Sequence, residues 1–172
     1  MKERVRGTDA DGTGSAYADG TGSAYASGAG SPAFNLFVYG TLRGGGGRAR
    51  GKVSGAAGNG NGAGHLSGCE KIADGTIGGT LYNIEGRFPA LVYYGADPVH
   101  GEVWRCPADL LPSLDAYEST ATSLFRRIAV EAETDAGDVL PCWAYAAGPA
   151  LSRQLTQKNR VTTGSWTPGA RT

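Results

Sequence analysis

The chain has 172 residues, enough for one domain of ordinary size plus an extension, and its 16 basic side chains balance its 16 acidic ones. That balance gives no electrostatic reason to expect nucleic acid or an anionic membrane as a partner. No apolar run approaches the roughly 20 residues of a membrane helix, and MKERVRGTDADG is not followed by the apolar core of a secretory signal. Cys69, Cys106 and Cys142 are odd in number and lack metal-type spacing, which predicts free thiols, a reducing compartment and a cytoplasmic location.

Residues 1–33 read as a disordered low-complexity tail. DGTGSAYA stands at Asp11 to Ala18 and again at Asp19 to Ala26. Gly, Ser, Thr and Ala dominate, so the segment has too little apolar surface to offset its ordering entropy. A second reading makes it a partner-binding tail that uses Tyr17 and Tyr25.

Residues 34–172 read as the folded domain. FNLFVY, Phe34 to Tyr39, is short, apolar or aromatic except for Asn35, and rich in β-formers, which predicts a buried strand. It ends at Gly40, where glycine admits backbone conformations that other residues resist. A buried strand ending in a glycine turn leaves N–H groups without a ladder partner, and such groups bind carbonyls or carboxylates. An ordinary core strand and turn is the alternative.

A glycine-rich loop, residues 44–64, follows inside the domain. Within or beside it Arg43, Arg48, Arg50 and Lys52 cluster without interleaved aromatics, as in a solvated loop. Gly46, Gly51 and Lys52 match a phosphate-binding G-x-x-x-x-G-K, but Val53 stands where the Mg²⁺-binding Ser or Thr belongs. The glycine-rich segment beyond would also make a poor phosphate-capping helix.

From Ile77 the pattern is β. Strands are expected over Gly78 to Ile84, Ala90 to Tyr94, Val99 to Cys106, Leu124 to Thr134 and Val139 to Ala147. Arg87-Phe88-Pro89 and Asp135 to Asp138 supply turns. One helix is expected from Asp109 to about Glu118, with Asp109 as N-cap and Pro112 in the first turn. Leu110, Leu114 and Tyr117 mark its apolar face, and Glu118 projects between Leu111 and Leu114. Glu118 is then either a desolvated carboxylate with a raised pKa, suited to moving protons, or a helix-end residue that bends out to water or pairs with Arg126 or Arg127. Leu151 to Arg160 reads as a short polar helix, and Trp166 as packing back on the domain. Short strands with one helix indicate an α+β domain whose sheet closes, or nearly closes, into a barrel.

The blocks FVYGTLR, GGTLYNIEGRFPALV, GEVWRC, LLPSLDAYE, FRRIAVEAET and CWAYAA resemble, in this order, those of the γ-glutamylcyclotransferase-like (AIG2-like) family. They cover roughly Phe34 to Ala147, with an echo in Gly164-Ser165-Trp166. The resemblance implies a small mixed β-barrel with flanking helices. It implies that Tyr39, Gly40, Thr41, Leu42 and the adjoining Arg43 bind a small-molecule γ-glutamyl substrate, largely through backbone groups. It implies that Glu118 is the proton-transfer residue of a lactam-forming cleavage that releases 5-oxoproline and an amine. That reaction needs no cofactor and no metal, because the nucleophile belongs to the substrate. Tyr145 is a candidate to present a hydroxyl to the substrate, with a core tyrosine as the alternative.

The chain departs from the family pattern at Ser119, where glycine is common, and at Leu124-Phe125, where a tyrosine often opens the strand. These departures bear on the leaving group. Three functions stay in view: a cyclotransferase, including one that deprotects a natural-product intermediate; a non-catalytic small-ligand binder; and another acid–base isomerisation or cyclisation in the same pocket.

Overall fold

The computed structural model describes residues 25–26, 32–43 and 63–169. Its strands are β1 (Tyr25–Ala26), β2 (Ala33–Val38), β3 (Glu70–Gly78), β4 (Thr80–Ile84), β5 (Phe88–Val92), β6 (Pro98–Pro107), β7 (Phe125–Thr134), β8 (Val139–Ala147) and β9 (Arg160–Val161). Its α-helix among the described residues is α1 (Leu111–Tyr117). The larger sheet runs β1-β2-β6-β3-β7-β8, and β8 returns to β2 through a parallel pairing at Leu36 and Trp143. This pairing closes β2, β6, β3, β7 and β8 into a five-strand mixed barrel. β5, β4 and β9 form a second, three-stranded sheet. The expected α+β class and small mixed barrel are therefore what the chain forms. The flanking helices amount to α1 and several short 3₁₀ turns.

Side-chain alternation along β2 explains how the barrel fills. Phe37 and Tyr39 join Val99, Val103, Val130 and Ala144 in the barrel interior. Phe34, Leu36 and Val38 face outward and bury against Trp104, Trp143 and the α1 residues Leu111 and Leu114. Gly101 on β6 makes room for Phe37: a Cβ there would lie 2.5 Å from the Phe37 ring. Trp166 is buried as expected, and its indole N–H donates to Asn83 Oδ1 at 3.1 Å, tying the C-terminal segment to β4.

Several expectations are corrected. The cysteines are not all free: Cys69 and Cys106 form a disulfide, and Cys142 is the free, buried one. The β3–β6 ladder pairs Glu70 with Arg105, which brings the next residues outward, Cys69 and Cys106, to a Cα separation of 4.3 Å. Unpaired thiols therefore no longer speak for a reducing compartment. Burial pushes the Cys142 thiol up to about 12, where it has little thiolate character.

Asp109 does not cap α1. A 3₁₀ turn, Ala108–Leu110, precedes the helix, and Leu110 is the N-cap without a side-chain hydrogen bond. Pro112, in the first turn, lacks only an N–H that would be unpaired anyway. Phe88 and Pro89 are not a turn but the start of β5, an edge strand where a missing N–H is tolerated. The turn is instead Glu85 to Arg87, where Glu85 and Gly86 both have positive φ. The polar helix expected over Leu151 to Arg160 is two 3₁₀ turns, Pro149–Gln154 and Gln157–Asn159, the second set by a capping box between Thr156 and Asn159.

The tail boundary also moves: Ala33 belongs to β2, and Tyr25–Ala26 pair with Ala33 and Phe34. The rest of the tail, and the Gly46-Gly51-Lys52 match, lie outside the described residues, as does most of loop 44–64. Ala63–Leu66 at the end of that loop form a 3₁₀ turn. Among the described residues no helix is long and apolar enough to cross a membrane.

Candidate active site

β2 carries its chain out of the barrel wall at Tyr39, and residues 40–43 turn sharply, with the Arg43 N–H donating to the Gly40 carbonyl at 2.9 Å. Among the described residues the N–H groups of Thr41 and Leu42 find no backbone acceptor. Gly40 does not have a positive φ. Its glycine is required for a different reason than backbone freedom: a Cβ would lie 2.6 Å from Pro89 Cγ, so only glycine lets the turn rest on β5. Tyr39 anchors the start of the turn. Its buried hydroxyl donates to the backbone carbonyl of Tyr145 on β8, and burial, with the nearby Glu118 charge, raises its pKa.

Glu118 ends α1 as its C-cap, with its N–H on the Leu114 carbonyl at 2.9 Å. The chain then leaves through Ser119, held in the left-handed region at φ 54° and ψ 43°. The Glu118 carboxyl is half-buried, and desolvation lifts its pKa to about 7. Neither arginine candidate neutralises it. Arg127 pairs with Asp115, one turn back on α1, and its guanidinium lies 5.1 Å from the Trp143 ring centre. Tyr145 belongs to the same cluster: its hydroxyl donates to Asp115 Oδ1 at 2.8 Å. The hydroxyl expected to face a substrate is therefore engaged with α1.

Gly40, Thr41, Leu42, Arg43 and Glu118 all line one open cleft of about 1120 Å³. Tyr39 and Tyr145 line it as well, so the seven residues singled out in the sequence come together at one place. A carboxyl poised near neutrality and a turn with backbone N–H groups on one cleft are groups suited to proton transfer at an acyl centre.

The model of the γ-glutamyl cyclotransferase, AIG2-like family matches residues 36–168. The chain belongs to this family. Solved structures with the same cyclotransferase-family fold include an AIG2-like protein of Mus musculus, 21% identical, with a TM-score of 0.55, covering 79% of this chain and 89% of that one. YkqA of Bacillus subtilis is 20% identical with a TM-score of 0.54 over 77% of this chain, which spans only 39% of YkqA's length. The E. coli protein c4763 is 18% identical with a TM-score of 0.51, covering 78% and 92% of the two chains. No curated protein matches this chain in sequence.

Two cleft residues, Glu102 and Phe88, have no site role in the sequence reading. Glu102 on β6 lines the cleft, only 7% exposed, accepting from Trp104 Nε1 at 3.0 Å and Lys71 Nζ at 3.2 Å. The signal for it is an acidic residue inside an otherwise buried strand. Phe88 also lines the cleft, and its signal is weaker, because an aromatic at a strand start reads as core. Phe125, the residue that stands where the family often has tyrosine, lines it too.

Proposed function

We propose that the protein is a γ-glutamyl cyclotransferase acting on a γ-glutamyl amine or γ-glutamyl amino acid, with Glu118 as general base and then general acid. The observation that carries this reading is the Glu118 carboxyl, raised to about 7 by burial, on the same cleft as the Gly40–Leu42 turn.

In this mechanism the γ-glutamyl group lies along the turn. Glu118 takes a proton from the substrate's α-ammonium and frees its lone pair. The nitrogen attacks the γ-carbonyl carbon, and the N–H groups of Thr41 and Leu42 receive the charge that grows on the oxygen. Glu118 returns the proton to the departing nitrogen, and the C–N bond breaks. Glu118 then takes the second proton from the ring nitrogen and passes it to the freed amine, so two protons leave the attacking nitrogen and two arrive on the leaving one. The products are 5-oxoproline and an ammonium, and the enzyme ends in its starting state. Proximity does much of the work, because nucleophile and electrophile belong to one molecule.

The test is incubation with a panel of γ-glutamyl amines and amino acids, with 5-oxoproline as readout. Product from wild type and a loss of about 10²-fold or more in Glu118→Gln supports the mechanism. No product, or a fully active Glu118→Gln, refutes it.

A further inference from the structure

The cleft has an apolar wall that the chemistry above does not use. Phe88 opens β5 beside Pro89, the residue against which the Gly40 turn rests. Phe88 is half-buried, and its ring meets Phe125 edge-on, with centroids 5.9 Å apart and planes at 64°. Phe125 opens β7 soon after the chain leaves Glu118. The aromatic pair therefore bridges the element that carries the turn's support and the element that follows the carboxylate. Leu124, half-buried, extends the same wall, and all three side chains border the cleft.

The charges around this wall constrain what sits on it. Arg43 and Arg87 border the cleft, and the Arg87 side chain, next to Phe88, is 74% exposed. Its contact with the Glu85 carboxylate is a long 3.9 Å between two exposed side chains, so the guanidinium keeps most of its field. Of the two carboxylates that border the cleft among the described residues, Glu118 serves the proton transfer and Glu102 is held by Lys71 and Trp104. A second positive charge on the leaving group would meet arginines and an apolar surface.

Resting on the cyclotransferase reading, we infer that the leaving amine carries an aromatic or branched apolar group seated on Phe88 and Phe125, and no second cationic group. The substrate class is a γ-glutamyl arylalkyl or alkyl amide, not a γ-glutamyl diamine.

The experiment compares γ-glutamyl-phenethylamide, γ-glutamyl-ethylamide and γ-glutamyl-cadaverine. Two readouts are taken: kcat/KM from 5-oxoproline release by wild type, and calorimetric affinity for Glu118→Gln, which separates binding from turnover. The phenethylamide is expected to exceed the other two by about tenfold or more in both. Phe88→Ala narrows that ratio to below about threefold, and Phe125→Leu provides a gentler variant should the alanine protein fail to fold. Equal kcat/KM for all three, or a preference for cadaverine, overturns the inference while the cyclotransferase reading stands. Tight, selective phenethylamide binding without 5-oxoproline keeps the apolar subsite and overturns the reaction. Neither binding nor turnover overturns both.

Discussion

Arg127 pairs with Asp115 and leaves Glu118, three residues along the same helix end, without an ion-pair partner among the described residues. Asp115 is held twice, since the Tyr145 hydroxyl occupies its other oxygen. This division of labour leaves one carboxylate ion-paired and structural and the other desolvated. Asp115→Asn removes the charge that holds Arg127 and should cost about 1–3 kcal/mol of stability by urea denaturation. Tyr145→Phe removes a hydrogen bond to a charged group and should cost about 1–2 kcal/mol. In the double variant the losses should fall short of additive by about 0.5 kcal/mol or more, because the two side chains act on one another. Strict additivity would show that the contact does not contribute.

The pH dependence follows from Glu118. Its ordinary value of 4.5 is raised to about 7 in the fold by burial. As a base it must be ionised, so turnover should fall with an apparent pKa near 7 as pH drops. Stability has the opposite sense. The folded state holds this proton more tightly than the unfolded state, so its contribution is full below pH about 4.5 and is lost as pH rises through about 7. Between those limits wild type should lose up to about 3 kcal/mol relative to Glu118→Gln, which has no proton to release. Denaturation of both proteins at pH 5 and pH 8 measures this. A constant difference between them would mean that Glu118 is hydrated in the fold.

Much of this arrangement is legible in the sequence, where local pattern and tertiary role coincide. β2 is apolar except for Asn35 because both its faces are buried, one in the barrel and one under α1. β7 alternates because it is half-exposed: Val130 and Ala132 are buried while Glu131 and Glu133 reach solvent. Glu118 is found by helical spacing because α1 obeys it up to its C-cap. β3 is not found. Glu70, Lys71, Asp74 and Gly75 are poor strand formers, and the segment is a strand through its long ladder with β6 rather than through its own preferences. The Cys69–Cys106 bond depends on that same ladder and spans 37 residues, so spacing carries no trace of it. Barrel closure rests on a single parallel pairing of β2 with β8, a contact between distant segments that no local pattern encodes. The hydrogen bond of the Tyr145 hydroxyl is not legible, because its partner, Asp115, lies on another element.

The turn's dependence on Pro89 is separable from backbone freedom. Gly40→Ala places a methyl group 2.6 Å from Pro89 Cγ, well inside contact distance, and should cost about 1–3 kcal/mol and displace the Thr41 and Leu42 donors. Pro89→Ala alone removes the ring and leaves a gap. Combined with Gly40→Ala it should restore part of the stability and part of the 5-oxoproline activity. A double variant no better than Gly40→Ala would place the requirement for glycine in the backbone instead.

Ser119 offers the reverse test. It is a non-glycine residue at φ 54°, directly after Glu118, in a conformation that brings Cβ too close to the following carbonyl. That strain is about 1–2 kcal/mol, whereas glycine loses an extra ~0.4–1 kcal/mol of chain entropy on folding. Relief exceeds entropy, so Ser119→Gly should raise stability by roughly 0.5–1 kcal/mol, read as an upward shift of the denaturation midpoint with unchanged m. Ser119→Val, branched at Cβ, should lose more than 1 kcal/mol by the same reasoning. The Glu118 carboxyl is positioned by this turn, so Ser119→Val should also lower 5-oxoproline release beyond the fraction unfolded. Ser119→Gly should keep the acid limb of its pH profile near 7. A destabilised glycine variant would mean that the serine side chain supplies more at this helix end than its strain removes.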